Sequence, residues 1–271
     1  MSQSRTTTRK RVPSPRPDAG AQEAVDTVID EACRALHLPT IRSRIEEMAA
    51  TAMRERSSYK DFLADLLEAE CADREERRKI RLVREANFPR PKRLEDFKFE
   101  ENPNVTPEMV GTLADPAWVT SRQPLCLIGD SGTGKSHLLI GIGTAIAEAG
   151  LRVRYTTTVN LVNELAEAAD EKKLARTIAR YGRVDLLCLD EFGYLDLDKT
   201  SAKLLFQIFT EREERGSIAI SSNAPFSEWK QTFTDPRLCT AIVDRVTFNA
   251  HIIETGVDSY RLAQTQKKHK R

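Results

Sequence analysis

The chain has 271 residues, room for one large domain or for one domain and a smaller partner, since a domain takes about 100 to 200 residues. Lys and Arg number 42 against 41 Asp and Glu, a formal charge of +1, so no global field marks the chain as a polyanion binder. The five cysteines (Cys33, Cys71, Cys126, Cys188, Cys239) lack C-x-x-C spacing and read as reduced core residues, and no apolar run nears the roughly 18 residues that span a bilayer; no metal–thiolate site, disulfide framework or membrane role is expected, and the cytosol is the expected compartment.

Residues 1–21 carry Thr, Ser, Pro and Arg without periodicity, with Arg5, Arg9, Lys10, Arg11 and Arg16 ahead of the first acid, Asp18; a disordered basic tail is expected. Residues 22–88 predict a small all-α domain. Val25, Val28, Ile29, Ala32, Cys33 and Leu36 recur at helical spacing, Pro39 interrupts, and Ile41, Ile45, Met48, Ala49, Ala52 and Met53 repeat the pattern. Ser58 with Asp61 resembles a capping box ahead of a stripe of Tyr59, Phe62, Leu63, Leu66 and Leu67. The same helix then becomes highly charged, with Arg74, Arg77, Arg78 and Arg81 among Asp73, Glu75, Glu76 and Glu85. Such a face serves either as a solvated surface laced by i to i+4 ion pairs or as a contact for phosphates.

Pro89, Pro91, Pro103 and Pro107 exclude a continuous helix over 88–108, so 89–108 reads as a linker or as a collar wrapped on the next domain. Across 109–262 short apolar runs alternate with helical patterns: Leu125 to Ile128, Val153 to Thr156, Leu186 to Leu189, Ile218 to Ser221 and Ile252 to Glu254. That alternation predicts an α/β domain with a parallel sheet sandwiched by helices. Residues 263–271 form a second basic tail.

Gly129-Asp130-Ser131-Gly132-Thr133-Gly134-Lys135-Ser136 fits G-x-x-x-x-G-K-[ST] between an apolar run and a helical one that opens with His137, which is the strand, loop and helix setting of a phosphate loop. Its glycines let backbone N–H groups turn toward phosphates, the helix N-terminus adds positive potential, Lys135 supplies a point charge, and Ser136 offers a hydroxyl to Mg²⁺. Leu186 to Leu189 ends in Asp190 and Glu191, so a buried strand delivers two carboxylates to the sheet edge where ligands bind. Asp190 is placed to hold Mg²⁺ through water, and Glu191 to polarise an attacking water.

The following strand ends at Ser222 and Asn223, whose amide either holds that water or only forms a turn before Pro225. No [NT]-K-x-D sequence occurs, so adenine is the expected base. Charge on the transferring phosphate still needs an arginine, often supplied in trans; Arg237, Arg245 and Arg261 are candidates, with an ion pair from Arg245 to Asp244 or Asp235 as the structural alternative.

Together these residues resemble the IstB-like transposition helper ATPases of insertion sequences, relatives of the DnaC-type helicase loaders in the AAA+ superfamily. The resemblance runs from about Leu36 to Leu262. It rests on Tyr59-Lys-Asp-Phe-Leu with the charged Arg74 to Arg84 helix, Leu94-Glu-Asp-Phe, the phosphate loop with His137, Asp190-Glu-Phe-Gly-Tyr-Leu, Ser222-Asn-Ala-Pro-Phe-Ser-Glu-Trp229, Asp244-Arg245 and Gly256 to Arg261. It implies a P-loop AAA+ core after a small helical domain, ATP and Mg²⁺ as cofactors, ATP hydrolysis to ADP and phosphate, Asn223 as sensor and Arg245 as arginine finger. It also implies a homo-oligomer that assembles on duplex DNA and recruits an integrase-type transposase. Ser136 stands where Thr is more usual, and Thr247-Phe248 stand where relatives often carry two histidines. A replicative helicase loader is the nearest competing function; a small-molecule P-loop kinase and a nucleotide-gated protein with negligible turnover are the others.

Overall fold

The computed structural model describes residues 19–193, 197–213, 215–233 and 235–257, so residues 1–18 of the first basic tail, the whole second tail and Arg261 lie outside the described residues, while residues 19–21, expected in the tail, already belong to a helix. The chain forms two compact units, Met1–Glu76 and Arg77–Arg271.

The first unit is helical: α1 (Ala19–Ala35), α2 (Pro39–Glu55) and the first part of α3 (Tyr59–Glu85), the helix within which the division falls. Pro39 occupies the first turn of α2, where a missing N–H costs nothing, so it opens that helix. The Ser58 and Asp61 side chains each accept from the other's backbone N–H at 3.2 Å, the expected capping box at the start of α3. Cys33, Ile41 and Leu66 form the core, packed by Ile29, Leu38, Ile45, Met48 and Phe62. Leu38 has no side-chain acceptor for the N-terminus of α2, and Glu70 of α3 takes that role, accepting from the N–H groups of Thr40 at 2.8 Å and Ile41 at 3.1 Å.

Cys71 corrects the expectation of five core cysteines: it is exposed, while the other four are buried. At 100° per residue it stands about 140° around α3 from the buried Leu66.

The second unit begins with the end of α3, whose Leu82 joins the core. Short 3₁₀ turns at Leu94–Asp96 and Phe99–Glu101 follow, then α4 (Pro107–Ala114) and α5 (Ala117–Thr120). The α/β part runs β1 (Leu125–Ile128), α6 (Lys135–Glu148), β2 (Val153–Thr157), α7 (Thr158–Asp170), α8 (Leu174–Gly182), β3 (Leu186–Phe192), α9 (Lys199–Arg212), β4 (Ser217–Ser222), α10 (Trp229–Thr232), α11 (Pro236–Thr247) and β5 (His251–Glu254). All strand pairs are parallel and the order is β2-β3-β4-β1-β5.

Alternate residues of β1 point to opposite faces, which explains its continuous apolar sequence. Leu125 and Leu127 join Leu138, Leu139, Ile142 and Ile146 of α6 in one core, while Cys126 and Ile128 join Leu161, Leu205, Trp229 and Ile242 in the other. Because the strands are parallel, Ile128, Asp190 and Ser222 all lie at one sheet edge.

The proline-rich segment packs as a collar. A Cβ on Gly141 would sit 2.7 Å from Leu94, and one on Gly143 3.0 Å from Phe88, so two glycines of α6 make room for two collar side chains. The Asn102 amide donates to the carbonyls of Thr133 at 2.9 Å and Thr255 at 3.1 Å, tying the collar to the phosphate loop and to the end of β5.

Candidate nucleotide site

β1 runs into α6 through the Gly129 to Lys135 loop. Gly132 and Gly134 adopt φ of +88° and +95°, and a Cβ at Gly134 would also meet Phe97 at 2.7 Å, so glycine is required there on both counts. The loop closes over a cleft of about 450 Å³ lined by Ser131, Gly132, Gly134, Lys135, Ser136 and His137. Gly129 and Asp130 do not line it: their N–H groups donate to the carbonyls of Ser222 and Gly256 and anchor the loop to β4 and the end of β5. Thr133 lines an adjoining cleft of about 310 Å³ and its hydroxyl lies 2.6 Å from that of Thr255.

Lys135 is only 5% exposed, and its ammonium donates to the Asp130 carbonyl across its own loop. An oxygen already holds the charge where phosphate oxygens would enter. His137 Nε2 contacts the Arg93 carbonyl at 2.8 Å, and its ring meets Phe97 edge-on.

β3 brings Asp190 and Glu191 to the same cleft. Asp190 is 3% exposed, and its carboxylate accepts from Ser136 Oγ at 3.2 Å, Tyr155 Oη at 2.7 Å, the Ser221 hydroxyl and the Glu191 N–H at 2.9 Å. Burial, together with the negative Asp190, pushes the Tyr155 hydroxyl well above the usual phenol range, so Tyr155 stays a donor. Glu191 sits at φ +58°, where the β3–β4 register shifts between Leu189 and Phe192. The bulge turns consecutive carboxylates to different surroundings, Asp190 buried and Glu191 exposed.

Asn223, half-buried, lines the same cleft. Its turn is held by Trp229, fully buried, whose indole N–H reaches Ser222 Oγ at 3.1 Å and the Ala224 carbonyl at 3.0 Å. Phe192 packs on Trp229 with ring centroids 4.3 Å apart, coupling the end of β3 to the turn after β4.

Arg245 lies elsewhere. It lines a cleft of about 590 Å³ together with Gln123, Pro124, Gly216 and Asn249, which precede β1, β4 and β5, so it belongs to the opposite edge of the sheet. Its ion-pair partner is Glu213, at 2.8 Å, and its guanidinium stacks over Phe206. Among the charged α3 residues, Arg74 binds Glu70 and the His37 carbonyl, Arg78 donates to the Gly150 carbonyl, and Arg81 lies 3.8 Å from Glu85. Arg77 is also engaged.

Sequence reasoning missed Tyr155 and Ser221, named Trp229 only as part of a motif, and also missed Arg90 and Lys92 of the collar, which line the phosphate cleft. Only strand register reveals the first: Thr157 pairs with Asp190, placing Tyr155 two residues upstream on the adjacent strand.

The residues fit Mg-nucleotide. Among the described residues no group of three or more His, Cys, Asp or Glu could hold a metal alone, while Ser136 and Asp190 offer the few oxygen ligands Mg²⁺ takes when phosphates supply others. No described helix is long and apolar enough to cross a membrane.

A five-stranded parallel sheet with a phosphate loop after β1, which lies between β4 and β5, and paired acids at the end of β3 defines a P-loop protein of the AAA+ type. The solved AMPPCP-bound DnaA of Aquifex aeolicus has a similar fold, with a TM-score of 0.54 and 24% identity over 68% of this chain and 56% of that one. Residues 31–268 match the IstB-like ATP binding proteins, and the chain belongs to that family. It is 39% identical to an insertion sequence ATP-binding protein of Sinorhizobium fredii, over 91% of this chain and 85% of that protein. To an insertion sequence ATP-binding protein of Geobacillus stearothermophilus it is 34% identical, over 87% and 94%.

Proposed function

We propose that the protein is an ATPase that serves transposition: ATP-bound copies assemble on duplex DNA and recruit a transposase. The observation that carries this reading is the meeting of Lys135, Ser136, Asp190, Glu191 and Asn223 on one cleft in a chain of this family. Lys135 leaves the Asp130 carbonyl for the β and γ phosphates, and the N-terminus of α6 reinforces it. Ser136 and Asp190 would hold Mg²⁺, which would supply positive charge to the bound phosphates. Glu191 takes a proton from the water that Asn223 orients, and hydrolysis yields ADP and phosphate.

Arg245 completes the site from a neighbouring copy. Its place at the far sheet edge, remote from its own phosphate cleft, suits a group that acts across a subunit boundary. The charged stretch of α3 carries the DNA or transposase contact, with Arg74, Arg77, Arg78 and Arg81 as phosphate-facing residues. The contact of Arg81 with Glu85 does not exclude this, because an exposed ion pair contributes only about 0 to 1 kcal/mol and exchanges readily for phosphate, whereas Arg74 also holds the buried Glu70. Particle size and ATP turnover, measured together with and without duplex DNA over a salt series, test the reading. Growth in size and faster turnover with ATP and DNA, weakening steeply with salt, are expected. Turnover and size indifferent to DNA would overturn it.

A further inference from the structure

The cleft that receives the phosphates is lined by two collar cations that the proposed mechanism leaves without a role. Apart from Arg90 and Lys92, its fixed charges are Lys135 against Asp190 and Glu191, so the wall formed by the α/β elements alone is net negative. A triphosphate brings about four negative charges of its own, only partly offset by Mg²⁺, and the N-terminus of α6 adds roughly half a positive charge. Such a wall binds a polyanion poorly. Arg90 and Lys92 reverse its sign.

Neither is a residue of the core. Arg90 is exposed and Lys92 half-buried, and among the described residues neither side chain makes a hydrogen bond or an ion pair. The next collar cation, Arg93, does pair, with Glu148 at 3.5 Å. Two unpaired cations beside a phosphate loop, next to a third that is satisfied, are disposed as a ligand would need them.

The backbone holds them there. Phe88 and Leu94 are anchored against Gly143 and Gly141 of α6, and the Arg93 carbonyl is fixed by His137, so residues 89–93 form a short strap between fixed points. Pro89 and Pro91 lock φ at about −65° and restrict the residues before them, which makes a stiff mount for side chains at 90 and 92. Arg90 lines the phosphate cleft alone, while Lys92 lines both that cleft and the adjoining one, where Phe97, Asn102 and Thr133 lie.

We infer that Arg90 and Lys92 are nucleotide-binding residues, a cis clamp of two cations laid by the collar over the polyphosphate of ATP. The inference rests on the proposed ATP site. A clamp of this kind acts on phosphate charge, so it contributes more to ATP than to ADP, and its contribution falls as salt rises.

The test is equilibrium binding of fluorescent ATP and ADP analogues to the full-length protein, with no turnover in the readout. The double variant Arg90→Ala/Lys92→Ala should lose about tenfold in ATP affinity and less in ADP affinity, with a shallower salt dependence than wild type. The charge-keeping exchange Arg90→Lys/Lys92→Arg should bind both within about threefold of wild type and thereby exclude damage to the collar fold. If the double variant binds both nucleotides as wild type does while Lys135→Ala has lost them, the clamp is refuted and the ATP site stands. If both double variants lose ATP and ADP equally, the residues only hold the collar and the inference is again overturned. Failure of wild type itself to bind either nucleotide would remove the ATP site, and the clamp with it.

Discussion

The hydroxyl of Tyr155 on β2 donates to Asp190 Oδ2 on β3 at 2.7 Å, and Ser221 on β4 donates to the other oxygen of the same carboxylate. Asp190 is thus oriented from both neighbouring strands before any ligand arrives. Residues that orient a metal ligand typically contribute 10- to 100-fold in metal affinity or activity. Tyr155→Phe should therefore raise the Mg²⁺ concentration needed for half-maximal ATP turnover by about tenfold while leaving metal-free nucleotide binding intact. A magnesium titration checks this. An unchanged midpoint would mean that the Tyr155 hydroxyl only completes the hydrogen bonding of a buried acid.

Lys135→Ala and Glu191→Gln should separate binding from turnover. The first removes the buried ammonium beside the phosphate loop and should abolish detectable ATP binding. The second keeps the size of an exposed side chain at φ +58°, at the same backbone cost, and removes only its basicity. Binding should persist with turnover reduced by at least about 100-fold. Equal loss of nucleotide affinity in both variants would contradict the assignment.

Glu70 makes the helical unit sensitive to acid. Burial alone would push its carboxyl up, but the N–H groups of Ile41 and Thr40 and the Arg74 guanidinium outweigh burial and hold it below the usual 4.5. A depressed acid contributes stability that is fully present above the unfolded value and is lost as pH falls through the folded one. Glu70→Gln should thus destabilise the unit by about 1 to 3 kcal/mol at pH 7, and the gap from wild type should narrow as pH falls below 4.5 and through the depressed folded value. Amide exchange at Thr40 and Ile41 measures it; a gap independent of pH would show that the charge is not what caps α2.

The strands and phosphate loop were legible because each depends on adjacent residues. Leu125 to Ile128 reads as a buried strand, and it is β1 to the residue; Ser58 and Asp61 announce a cap that forms. Tyr155, Arg90 and Lys92 were not legible. They reach the site through strand register or through a collar whose seat is two glycines of α6, and nothing local in sequence encodes either. The Trp of Ser222-Asn-Ala-Pro-Phe-Ser-Glu-Trp229 was visible only as part of a family pattern. Its indole, hydrogen-bonded to Ser222 and Ala224 on either side of Asn223, supplies the physical reason for that spacing. Arg245 was expected to pair, if at all, with Asp244 or Asp235; the partner is Glu213, which lies just beyond α9, an element packed against α11.

That pairing sharpens the prediction for Arg245. Within its own chain it stands at the sheet edge opposite the phosphate loop, so any action on phosphate requires a second copy. The bond to Glu213 is partly exposed and costs no more than about 1 kcal/mol to exchange, so it can rest Arg245 between encounters without trapping it. Arg245→Ala should therefore bind ATP nearly normally and hydrolyse it poorly, by about 100-fold or more. Mixing it with Lys135→Ala should restore part of the activity, because the first variant keeps an intact pocket and the second an intact arginine. Mixed assembly is verified by an affinity tag on one variant only. Glu213→Ala gives the complementary result: if Glu213 merely rests the arginine, turnover stays within a few-fold of wild type. If tagged mixtures demonstrably form yet show no activity at any ratio, Arg245 does not act across subunits, and its role is to join α11 to Glu213.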